Sequence, residues 1–174
     1  FNTGNILQDQ LKDYKDDEFM AKIPLGIFSS TVSQDGRKLM ICSQPISFLM
    51  RPQHDSTKGI IAEPDAIDYT AFFKDLDPYN LRILTALRMN ATFPYVLPNV
   101  WLPTKPIVDV MDAGLRDNYG QEITLRFLHV FAEWIKANTS GVVFIQIRDR
   151  KKGEWNDDLT EPGIGDILYK PVTT

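Results

Sequence analysis

With 174 residues, the chain is long enough for one domain with a proper core and too short for two comfortable ones. Its 43% hydrophobic and 24% charged residues are ordinary for a globular protein, and a net charge of −4 argues against a broad basic face for nucleic acid. The single cysteine, Cys42, excludes an internal disulfide, and no apolar run is long enough to span a bilayer.

Ile6, Leu7, Leu11, Tyr14 and Phe19 recur at near-helical spacing through the charged stretch 5–20 and predict a surface helix closed off by Pro24. A hairpin follows over about 25–42. Residues 25–33 read as its first strand, Gln34-Asp35-Gly36 as the turn and 37–42 as the return, with Cys42 a small buried side chain. From Arg51 to Ala66 the chain is polar and reads as a long loop holding His54. Leu81, Ile83, Leu84 and Leu87 predict a helix over 79–91, with Asp77 as cap and Pro78 in the first turn. Residues 93–106 hold Pro94, Pro98, Pro103 and Pro106 and suit an extended segment.

The run 107–112 reads as a strand that delivers Asp112 to its end. Asn118 with Gln121 makes a capping-box pattern. Ile123, Phe127, Val130, Phe131 and Trp134 then form one helical stripe reaching residue 137, with His129 near the core boundary. Val142 to Ile147 is a continuous apolar run typical of a strand buried on both faces. Strand, helix and strand over about 107–148 compose a βαβ unit and predict an α/β fold with a mostly parallel sheet. The tail after Asp149 is rich in Gly, Asp and Pro and reads as loop.

Ligands in open α/β sheets bind beyond the carboxyl ends of parallel strands, where this reading puts Asp112 and, on the next strand, Asp149. An aspartate that only hydrogen-bonds the following turn fits the same pattern. The spacing of Asp112, Asp117 and Glu122 does not match a calcium loop, and one cysteine with two scattered histidines argues against zinc. Gly163-Ile-Gly165-Asp166 lacks the flanking strand and helix of a nucleotide fingerprint, and Arg148 to Lys152 is a short basic run typical of a solvated loop. No metal or other cofactor is expected.

Residues 88–120, RMNATFPYVLPNVWLPTKPIVDVMDAGLRDNYG, resemble the C-terminal part of the patatin-like phospholipase domain. That family has a helix ending in small residues, here Asn90-Ala91-Thr92, and then a Phe-Pro segment, here Phe93-Pro94. A strand follows, then an Asp-Gly-Gly or Asp-Gly-Ala motif and an Asp-Asn pair. Asp112 falls on the family's catalytic aspartate and Asp117-Asn118 on the pair; Ala113-Gly114 stands where Gly-Gly or Gly-Ala is usual, so Gly114 keeps one small position. The stretch IPLGIFSSTVSQDGRKL also looks like the family's strand pair.

This resemblance implies a three-layer sandwich, of which the chain is a part, and a serine acyl hydrolase working with a Ser–Asp dyad. The dyad needs Gly-x-Ser-x-Gly and a glycine-rich oxyanion loop, and neither occurs; the nearest stretch, Gly26-Ile-Phe-Ser29-Ser30, lies in a predicted strand. The chain is therefore expected to be the C-terminal portion of a larger domain and inactive alone. Implied partners are a lipid or fatty-acyl ester, the upstream part of the same protein, a membrane surface and further copies of the chain. Phe93, Tyr95 and Trp101 are candidates to line an acyl channel, although large apolar residues beside a strand more often belong to a core. The alternative function is a non-catalytic module of the same fold that binds lipid or protein.

Overall fold

The computed structural model describes residues 4–52, 62–93 and 96–147; His54, Tyr95, Asp149 and the tail beyond it lie outside the described residues. Residues 1–144 form one compact unit and residues 145–174 a second, of which 145–147 are described.

The hairpin forms. Strands β1 (Ile27–Val32) and β2 (Lys38–Cys42) pair antiparallel, with Ile27 opposite Cys42 and Thr31 opposite Lys38. Gly36, at φ 71°, takes the left-handed conformation the turn requires, and its N–H donates to the Val32 carbonyl at 2.9 Å. Three more strands complete a five-stranded sheet of order β3-β2-β1-β5-β4: β3 (Ala66–Asp68), β4 (Val100–Leu102) and β5 (Val108–Met111). Only β3 runs parallel to its neighbour, β2; β1–β5 and β4–β5 are antiparallel. The fold is mixed α/β.

The expected mostly parallel sheet and βαβ unit are not found among the described residues. Residues 103–107 link β4 to β5, and so short a link permits only an antiparallel pairing, because a parallel crossover needs about a dozen residues or more. Residues 141–147 adopt no regular secondary structure, and Val143 is 85% exposed rather than buried. A continuous apolar run carries no alternation to fix a face, so only neighbouring strands could bury it, and no described strand pairs with it.

Strand alternation sends side chains to two cores, one on each face. Val32, Leu39, Ile41, Leu102 and Val110 meet Leu11, Phe73, Ala86 and Met89 on one side. Met40, Cys42 and Ala66 meet Ile46, Leu49, Met50 and Ile123 on the other. Leu11 opens α1 (Leu11–Phe19), whose start is tied by a reciprocal bond pair between Gln10 and Asp13. Ile6–Gln8 is a separate 3-10 turn, and Phe19 is exposed, so the expected helix is shorter and rests on the sheet through Leu11.

Asp68 caps α2 (Tyr69–Phe72) through its carboxylate, which accepts from Thr70 and Ala71 N–H at 3.0 and 3.2 Å. The helix expected over 79–91 is instead a 3-10 turn, Pro78–Asn80, followed by α3 (Ile83–Asn90). The break has a cause. The Leu81 carbonyl accepts from Leu11 N–H at 3.0 Å and Ile83 N–H donates to the Asp9 carbonyl at 2.8 Å, so Leu81 and Arg82 are held extended against the N-terminal segment. A short helix that was not expected, α4 (Gly114–Asp117), follows the turn after β5, and the last expected helix likewise divides, into α5 (Gln121–Val130) and α6 (Ala132–Asn138). Among the described residues no helix is long and apolar enough to cross a membrane.

Candidate functional site

The chain leaves β5 at Asp112, and three hydrogen bonds hold its backbone there. Asp112 N–H donates to the Thr92 carbonyl at 2.9 Å, Ala113 N–H donates to the Asn90 carbonyl at 3.0 Å, and Thr31 Oγ1 donates to the Asp112 carbonyl at 2.9 Å. The small-residue end of α3 and strand β1 thus fix the Asp112 backbone. Asn90 also ties α3 to β1, its side-chain amide donating to the Ser29 carbonyl at 2.6 Å.

The Asp112 side chain is half-buried, and its Oδ1 accepts from Gly114 N–H at 2.6 Å. The bond to the following turn is therefore present. Its second oxygen has no hydrogen-bond partner among the described residues. Gly114 is closely bounded by two side-chain oxygens: a Cβ there would lie 2.7 Å from both Asp112 Oδ1 and Asn118 Oδ1. Asp112, Gly114 and Asn118 converge within one turn.

Two expectations need correction. Because β5 is antiparallel to both neighbours, Asp112 sits at the end of a strand but not at the carboxyl edge of a parallel sheet. Asn118 does not cap the next helix; it follows the last residue of α4. Gly120, at φ 65°, precedes α5, and the Asp117 carboxylate receives Glu122 N–H at 3.4 Å and Ile123 N–H at 3.3 Å. One residue separates the expected cap from the observed one, because the left-handed glycine turns the chain back over Asp117.

Asp117 also borders a cleft of about 380 Å³ between the hairpin and α5. Leu25, Ile27, Met40, Ile123 and Phe127 give it apolar walls, and Ser29, Tyr119 and Thr124 line it with Asp117. Asp112, Phe93 and Trp101 are not among its lining residues; Phe93 is half-buried, and Trp101 is 75% exposed on β4. The Ser29 hydroxyl is buried and has no hydrogen-bond partner among the described residues.

A charged cluster that the sequence did not single out joins α4, α5, β2 and the approach to β3. Lys38, with a fully buried side chain, reaches Asp65 at 3.2 Å and Glu122 at 2.7 Å. Arg126, 6% exposed, grips Asp65 through two bonds of 2.7 and 2.6 Å, pairs with Glu122 and donates to the Leu49 carbonyl at 3.0 Å. Arg116 stands 3.5 Å from Asp65 on the outer side. Burial pushes the Asp65 carboxyl up, but the Arg126 bonds and the Lys38 and Arg126 charges overcome that push and hold it at about 2. The Glu122-to-Arg126 spacing of four was the one signal in the sequence. Burial pushes the Cys42 thiol up to about 11, so it packs as a small apolar group. His129 is exposed rather than at the core boundary, because α5 turns Ile123 and Arg126 inward.

Comparison with known protein families, with curated proteins and with solved structures finds no match.

Proposed function

We propose that the chain is the aspartate-bearing part of a serine-dependent lipid acyl hydrolase of the patatin-like kind, with its sheet and helices forming part of that family's three-layer sandwich. The reading is supported most by one arrangement: a strand-end carboxylate with one oxygen held by the Gly114 N–H and the other without a partner among the described residues. The bound oxygen orients the group, and the second is free to accept a proton. The position that bonds it is one where a side chain would collide with Asp112 and Asn118. The short Asp-x-Gly spacing serves that contact.

In this reading a serine hydroxyl from outside the chain attacks the ester carbonyl while Asp112 takes its proton. Asp112 then returns the proton to the departing alcohol as the C–O bond breaks. Water, deprotonated by Asp112, cleaves the acyl-enzyme, giving a fatty acid and restoring the serine. Gly114 and Asn118 position the carboxylate, and Asp117 fixes the turn into α5. No Gly-x-Ser-x-Gly occurs in the 174 residues, so the chain alone is expected not to turn over esters.

The test uses a form of the protein that carries the serine segment, with p-nitrophenyl fatty esters and phospholipid as substrates. Asp112→Asn is expected to abolish hydrolysis while leaving the unfolding midpoint unchanged. Normal turnover by the folded variant removes Asp112 from the reaction, whereas no ester turnover by the unaltered serine-bearing form leaves the non-catalytic lipid-binding module, which the apolar cleft beside Asp117 favours.

A further inference from the structure

The cleft between the hairpin and α5 has a chemistry of its own. Its volume of about 380 Å³ lies in the range of ~300–1,000 Å³ usual for small-molecule sites. Ile27, Met40, Ile123 and Phe127 make it mostly apolar, so its natural filling is hydrocarbon. Polar groups in its wall qualify that: Ser29 and Asp117, beside Tyr119 and Thr124, whose hydroxyl donates to the Gly120 carbonyl at 2.7 Å. The Ser29 hydroxyl is buried without a partner among the described residues, an unfavourable state that a hydrogen-bonding ligand would relieve. Asp117 brings a negative charge to the wall.

Among the described residues no cation offsets that charge from the sheet side. Lys38, on the same face of β2 as Met40, is taken up by Asp65 and Glu122, and Arg126 by Asp65, Glu122 and the Leu49 carbonyl. A ligand here must be apolar along its length, must carry a hydrogen-bonding end for Ser29, and must not bring a second negative charge beside Asp117. We propose that the cleft binds a single-chain lipid with an uncharged polar end, such as a fatty alcohol or monoacylglycerol, and discriminates against the free fatty acid. The proposal holds whether or not Asp112 acts as a base.

The test is methyl NMR of the full chain, titrated with decanol and with decanoate below their micelle concentrations. Saturable shifts confined to the methyls of Ile27, Met40 and Ile123 are expected with decanol, and affinity for decanoate at least about tenfold lower. Thr124→Trp fills the cleft and should remove the shifts. Leu25→Trp, at the exposed edge, serves the same purpose should the first variant unfold. Ser29→Ala should weaken decanol about two- to tenfold, and Asp117→Asn should narrow the alcohol-over-acid preference. Absence of saturable shifts, shifts that persist in a folded cleft-filled variant, or decanoate binding as tightly as decanol would overturn the proposal.

Discussion

Gly114 concentrates the demands of the site on one position. It donates to Asp112 Oδ1, and a methyl group in its place would meet both that oxygen and Asn118 Oδ1 at 2.7 Å. Both obstacles are ends of side chains, which can rotate. Gly114→Ala is therefore expected to change stability by less than about 1 kcal/mol in urea unfolding, yet to swing the Asp112 carboxylate out of place. A large drop in ester hydrolysis by the serine-bearing protein, with an unchanged unfolding midpoint, is the expected pair of readings. Asp117 behaves differently, because its carboxylate receives two N–H groups at the start of α5. Asp117→Ala should lower stability by about 1 kcal/mol in the same assay, the usual cost of a lost helix cap. At this scale the sequence was readable where the residues are contiguous: Asp112, Gly114, Asp117 and Asn118 lie in one short motif, and three of the four touch or bracket the same turn. Ser29 was not readable, since its missing partner depends on Met40 across the hairpin and Ile123 on α5.

Between elements, the cluster around Asp65 carries the largest electrostatic stake. Lys38 and Arg126 are buried charges with carboxylate partners, so removing one member leaves others uncompensated; Arg126→Ala is expected to cost about 3–5 kcal/mol in denaturant unfolding. The pH dependence follows from Asp65, held at about 2 in the folded chain and therefore below its unfolded value. Between those values the unfolded chain binds more protons, so stability rises with pH. On the order of 2 kcal/mol is present above about pH 4 and is lost as pH falls toward 2. Urea midpoints measured between pH 2 and 6 should fall in that acid window, and Asp65→Asn should flatten the fall. Element identity was legible where a local signal acts alone. The hairpin announces itself through Gly36, while β3 and β4, at three residues each, are too short to show alternation. The early half of the 79–91 helix failed because backbone groups of Leu81 and Ile83 pair with Leu11 and Asp9, some seventy residues earlier.

For the molecule as a whole, strand order and polarity lay beyond local reading, since an apolar run such as 107–112 pairs equally well in either direction until its neighbours are known. Here β5 lies between β1 and β4, both antiparallel to it, and β4 ends the sheet in the described order. Its central residue, Trp101, is 75% exposed on a strand with one side unpaired among the described strands. Edge strands with large apolar side chains invite pairing with another chain, where proteins that stay apart usually place lysine or proline. Leu125, Val130 and Trp134 add exposed apolar surface on α5 and α6, with Trp134 61% exposed. The purified chain is therefore expected to self-associate, its scattering mass rising above that of a monomer as concentration increases. Trp101→Lys combined with Trp134→Lys should return it toward the monomer. Neither side chain is buried, so stability should change by no more than about 0.5 kcal/mol for each. A unaltered chain that stays monomeric across the whole concentration range would mean that these faces are tolerated in water as they stand, and that the edge at β4 is not used for pairing.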